Sequence, residues 1–125
     1  MRLKLSAALA LGLCAAIAFP AVAGARGAEE TKVTIKEGAS GDFHGVVKSE
    51  AVSCADGRKV VLYKQLGAQQ KPSDDRKINS DTAGLQGDKY RWDTGNTNTK
   101  GKVYARAKKT DDCLADNSPT IQSSA

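Results

Sequence analysis

Histidine is almost missing from this sequence: His44 is the only one in 125 residues. Proton relays through paired histidines, and zinc sites that draw on several, are excluded by that count. Aromatic residues make up only 5%, so the core is small, as expected of one domain. Apolar residues never recur at the 3.6-residue period for long enough to make an ordinary helix. After Phe19 no apolar run approaches the roughly 20 residues of a membrane span. Glycine-rich phosphate loops and internal repeats are absent as well. Glu37 and Glu50 stand beside polar neighbours, so nothing suggests the desolvation that raises a carboxyl pKa for acid catalysis. No catalytic residue, cofactor or metal is expected.

What is present begins with an export signal. Arg2 and Lys4 precede an uncharged apolar stretch, residues 5–19, and Pro20 breaks it before the small residues Ala21, Ala23 and Ala25. This is the pattern of a signal peptide over residues 1–25, cut after Ala25 or, alternatively, after Ala23. The expected location is secreted or at the cell surface, with no membrane insertion once the signal is removed. Removal takes away Arg2, Lys4 and Cys14, leaving 17 basic residues against 14 acidic ones, a net charge of +3. A charge this small keeps a domain soluble and does not nominate nucleic acid as a partner. Two cysteines remain, Cys54 and Cys113, an even number in an exported chain, so a single disulfide between them is expected.

Residues 26–125 read as one all-β domain, with its core over about 31–122. Residues 26–30 form a frayed polar leader, and 31–36 alternate apolar and polar as a half-buried strand. In the next strand, 42–49, Phe43, Gly45 and Val47 share one face and His44, Val46 and Lys48 the other. Asp56-Gly57 is a turn signal, because glycine accepts positive φ cheaply and aspartate bonds its own backbone. It launches the most regular strand, 59–64. Residues 65–77, with Pro72 and the mixed charges Asp74, Asp75, Arg76 and Lys77, read as a solvated loop without calcium-loop spacing. A short strand at 78–81 and a glycine-rich turn at 82–88 lead to 89–93, where Tyr90 and Trp92 share a face that reads as core rather than as a sugar-stacking platform. In 102–109, Val103, Ala105 and Ala107 face one way and Lys102, Tyr104, Arg106 and Lys108 the other. That second set reads as an ordinary wet face, the alternative being a stripe for an anionic polymer. Pro119 at the start of the last strand, 118–122, marks an edge. About seven short strands with polar turns make a single antiparallel β-sandwich of immunoglobulin or prealbumin type.

The order of these features resembles the transthyretin-like and carboxypeptidase-regulatory-like β-sandwich domains. The residues that carry the likeness are Phe43 to Val47; Gly57 followed by Val60, Val61, Leu62 and Tyr63; Ser80, Asp81 and Gly84 leading to Tyr90 and Trp92; and Gly101, Tyr104, Ala105 and Ala107. Together they cover about residues 40–110. The chain is also similar to short secreted bacterial proteins with like-placed cysteines, and these imply no activity. The loop before Val60 lacks the Gly-Lys-Pro type of turn common in these domains, and the loop at 65–77 is long and highly charged. The catalytic branch of the transthyretin fold, the hydroxyisourate hydrolases, relies on several histidines, an arginine and a terminal Tyr-Arg-Gly-Ser, so the resemblance does not carry that activity here. The expectation is a secreted or cell-surface non-catalytic module that binds a protein or glycan through a sheet face or loop end. The alternatives are a small hydrolase on a transthyretin-like scaffold and a purely structural extracellular domain. Exposure of Trp92 and Tyr104 on a common face would mark a stacking glycan binder.

Overall fold

The computed structural model describes residues 27–124. The expected signal peptide, residues 1–25, lies outside the described residues. The order of strands is β1 (Lys32–Val33), β2 (Lys36–Glu37), β3 (Asp42–Lys48), β4 (Lys59–Lys64), β5 (Arg76–Thr82), β6 (Gly84–Gln86), β7 (Lys89–Asn96), β8 (Gly101–Ala107), β9 (Asp116–Asn117) and β10 (Ile121–Ser123). Single 3-10 turns at Ala39–Gly41 and Val52–Cys54 connect some of them. All strand pairs are antiparallel and fall into two five-stranded sheets. In the first sheet β1 and β2 both pair with β3, followed by β7 and β6; in the second, β10 and β9 both pair with β8, followed by β4 and β5.

The core joins the two sheets. Val33, Phe43, Val47 and Trp92 come from the first, and Val60, Leu62, Val103, Ala105 and Ala107 from the second, in one buried cluster. Each is supplied by the every-second-residue alternation of its strand. Large Phe43 and Trp92 and small Ala105 and Ala107 share this cluster, a mix of sizes that fills a core with few aromatics. Burying a side chain of Phe or Leu size is worth about 1.5–3 kcal/mol, so a handful of such residues carries most of the apolar stabilisation.

Several strands differ from the reading of the sequence. The single strand expected at 31–36 is broken at Thr34, and the reason is Trp92. The indole Nε1 donates to the Thr34 carbonyl at 3.1 Å, which takes that carbonyl out of the ladder. The Thr34 hydroxyl replaces it by accepting the Val46 N–H at 3.0 Å. The chain passes so close that a Cβ on Gly45 would run into the Thr34 carbonyl and press on the indole nitrogen. The leader at 26–30 is not frayed where it can be seen: Glu29 accepts from Leu114 N–H at 2.8 Å and donates to the Asp112 carbonyl at 2.9 Å. The turn at 82–88 contains the short strand β6. Ten strands among the described residues thus replace about seven, because two- and three-residue strands have no periodicity to detect. Gly57 adopts φ +71° as its turn requires, and β10, just after Pro119, lies at the edge of its sheet.

Candidate functional site

The outer face of the second sheet is assembled by register. Val61 of β4 pairs with Ser80 of β5 on one side and Arg106 of β8 on the other; Tyr63 pairs likewise with Lys77 and Tyr104. The β4–β5 register shifts between Leu62 and Tyr63, leaving Ile78 as an extra residue in β5. Strict alternation from Ser80 would have turned Lys77 to the core side. The bulge restores it to the outer face, a common use of bulges.

Tyr63 and Tyr104 are stacked, with ring centroids 5.4 Å apart and planes at 14°. Neither ring is open to solvent, at 1% and 0% exposure, because the loop at 65–75 folds over this part of the sheet. Asp75 is its clasp: the carboxylate accepts from Leu66 N–H at 3.0 Å, from Lys71 N–H at 2.7 Å and from the Tyr104 hydroxyl. Burial works against this charge, but the donors at Leu66, Tyr104 and Lys71, with the nearby Lys102, outweigh it and hold the carboxyl below its ordinary value. Lys102 Nζ donates to the Gly67 carbonyl at 2.8 Å, and Gln70 to the Ser118 carbonyl and the Thr120 hydroxyl at 2.9 and 2.8 Å. The solvated loop expected from its charges is therefore a folded cover, and Tyr104 is not on a wet face.

Beside this cover the sheet face opens into a trough of about 490 Å³, within the size range of ligand sites, about 300–1,000 Å³. Its cations are Arg58, Lys59, Lys77 and Lys108, and no carboxylate lines it. Ser53, Asn79, Ser80 and Thr110 add hydroxyl and amide groups, over a floor of Val61 and Ile78. Arg58 is 5% exposed. Its Nη1 donates to Thr31 Oγ1 and the Cys54 carbonyl at 2.9 and 3.1 Å, and its Nη2 to the carbonyls of Lys108 and Leu114 at 2.7 and 2.8 Å. All four acceptors are neutral, so the Nη hydrogens are satisfied while the charge has no counter-ion among them, and burial lowers its pKa from the ordinary value. The Lys108 amine is also held below its ordinary value, first by the charge and contact of Lys77, then by partial desolvation, Lys59 and Arg106. A second, shallower trough of about 410 Å³ shares Lys77 and Lys108 and adds Arg106, Tyr63, Pro72 and Ser73, again without a carboxylate.

Of the residues singled out in the sequence, Cys54 and Cys113 are bonded, with Cα atoms 5.6 Å apart. The bond links the turns that enter β4 and leave β8, neighbouring strands, and Cys113 also lines the first trough. Trp92 is 1% exposed in the core of the first sheet, so it shares no open face with Tyr104. His44 pairs across β3–β7 with Asp93. There the structure brings together two carboxylates that the sequence did not associate. A hydrogen bond to Asp93, then burial and the Asp93 charge, raise the Asp42 pKa, with His44 opposing. The Gly95 N–H and the same hydrogen bond lower that of Asp93, with His44 aiding. The pair lines neither trough. No cluster of three or more His, Cys, Asp or Glu side chains suited to a metal ion occurs among the described residues, and none of their helices is long and apolar enough to cross a membrane. No protein-family model, curated protein or solved structure matches the chain.

Proposed function

We propose that this is a non-catalytic binding module, a β-sandwich of the transthyretin-like and carboxypeptidase-regulatory-like kind, that takes an anionic partner on the outer face of its second sheet. The observation that carries this reading is the trough with four cations and no carboxylate. An amine crowded by other cations until its pKa falls, as Lys108 is, is stabilised when an anion neutralises the cluster. Export to an oxidising compartment fits the buried disulfide. A stacking platform for neutral sugars is not supported, since Trp92 and Tyr104 are both buried.

The test is binding of the mature protein to a sulfated polysaccharide, polyglutamate and an oligonucleotide, compared with the Lys77→Glu/Lys108→Glu variant. At least one of these anions should bind the native protein and be lost from the variant, whose melting temperature should not fall. Binding that ignores the double reversal, or no binding to any of the three, would defeat the reading. The hydrolase alternative draws on the Asp42–Asp93 pair beside His44; its mark would be an ester-cleaving activity abolished by Asp42→Asn.

A further inference from the structure

We infer that the partner is an extended anionic polysaccharide, sulfated or carboxylated, lying across both troughs. This rests on the reading of the outer sheet face as an anion site and says what kind of anion fills it. The two troughs adjoin at Lys77 and Lys108, which line both, and Arg106 extends the positive charge onto the second. Lys77 sits on β5, Lys59 on β4 with Arg58 just before it, and Arg106 on β8 with Lys108 just beyond it, so the track runs across three strands. At about 4.8 Å between neighbouring strands this spans roughly 10 Å, which suits a polymer with repeated charges better than one small anion. Hydroxyl and amide side chains stand between the charges, Ser80, Asn79 and Thr110 in the first trough and Ser73 in the second. They are the groups that hydrogen-bond sugar hydroxyls.

Two other polyanions fit less well. Single-stranded nucleic acid is held without sequence preference by stacking bases on exposed aromatic rings, and the tyrosines under this track are 1% and 0% exposed. An acidic peptide adding as a strand would follow the outer edge of β5, where Asn79 and Asp81 already bond β7 at Thr94 and Asp93, and from there it would not reach Arg106, two strands away on β8.

The experiment uses the mature protein and four probes: a sulfated monosaccharide, a hexasaccharide carrying the same group, and an oligonucleotide and polyglutamate matched to the hexasaccharide in charge. Affinities are read by calorimetry at an ionic strength of about 0.15 M. The hexasaccharide should bind at least about tenfold tighter than the monosaccharide and tighter than either charge-matched control. Ser73→Glu, an exposed change in the second trough alone, should weaken the hexasaccharide and leave the monosaccharide as it was. Arg106→Lys should restore most of what Arg106→Ala loses, which separates charge from the hydrogen bond that Arg106 makes to Asn117. Equal affinity for both saccharides, indifference to Ser73→Glu, or equal binding of the oligonucleotide or polyglutamate would overturn the inference while leaving an anion site in place. Failure of all four probes to bind would remove the anion site as well.

Discussion

Gly45 shows how much one hydrogen atom can decide. With no side chain it lets the Thr34 carbonyl and the Trp92 indole meet over the backbone of β3. Gly45→Ala would drive a methyl group into the Thr34 carbonyl, and the expected loss is about 3 kcal/mol, at the upper end of overpacking costs. Urea unfolding of the variant would measure it, and an unchanged midpoint would mean that the close approach is not needed. The alternation of Phe43, Gly45 and Val47 was legible in the sequence, but the obligation for glycine was not, because it comes from a residue 11 positions earlier and one 47 positions later. The same is true of Asp42 and Asp93, which meet only once β3 and β7 are in register. Nothing in the sequence singles out Arg58, since its four acceptors at Thr31, Cys54, Lys108 and Leu114 come together only in the fold.

At the level of the element, the loop at 65–75 behaves as part of the second sheet, and Asp75 is what makes it so. Asp75→Asn keeps the size but loses the charge and offers an amide donor toward N–H groups that already donate. The expected cost is about 2 kcal/mol, in the range for hydrogen bonds to a charged group, with Tyr104 gaining exposure to solvent. Because the folded protein depresses the Asp75 pKa, this contribution is complete above the ordinary carboxyl value of 3.8 and disappears as pH falls through the lower folded value. Stability measured from pH 7 downward should therefore drop less steeply below pH 3.8 in Asp75→Asn than in the native protein; parallel curves would show that the clasp does not titrate. Strands long enough to alternate, such as β3, β4 and β8, could be read directly from the sequence. The two-residue strands could not, nor the folded loop, because charge alone does not reveal whether a carboxylate meets water or backbone N–H groups. The bulge at Ile78 was likewise hidden, though without it Lys77 would face away from the trough.

On the scale of the whole molecule, the Cys54–Cys113 bond closes a loop of 59 residues. In the loop-entropy account this stabilises by roughly 4 kcal/mol, against the 5–15 kcal/mol or so that typical domains have in total. Reduction should lower the melting temperature clearly, and the double variant Cys54→Ala/Cys113→Ala should melt where the reduced protein does, with no further response to reductant. If reduction leaves the melting temperature unchanged, the cross-link adds nothing to folding. The bond also fastens the end of the sandwich where Arg58 ties Lys108 and Leu114 to the turn at Cys54, so the first trough should loosen along with it. A different consequence follows from the burial of Trp92, the sole tryptophan of the chain. Its ring lies in the core and on the first sheet, away from the troughs of the second. Its fluorescence should be blue-shifted and poorly quenched by acrylamide, and it should follow unfolding faithfully. For the same reason it should stay silent when a ligand settles on the outer face, so a flat emission spectrum during a titration will not mean that nothing has bound.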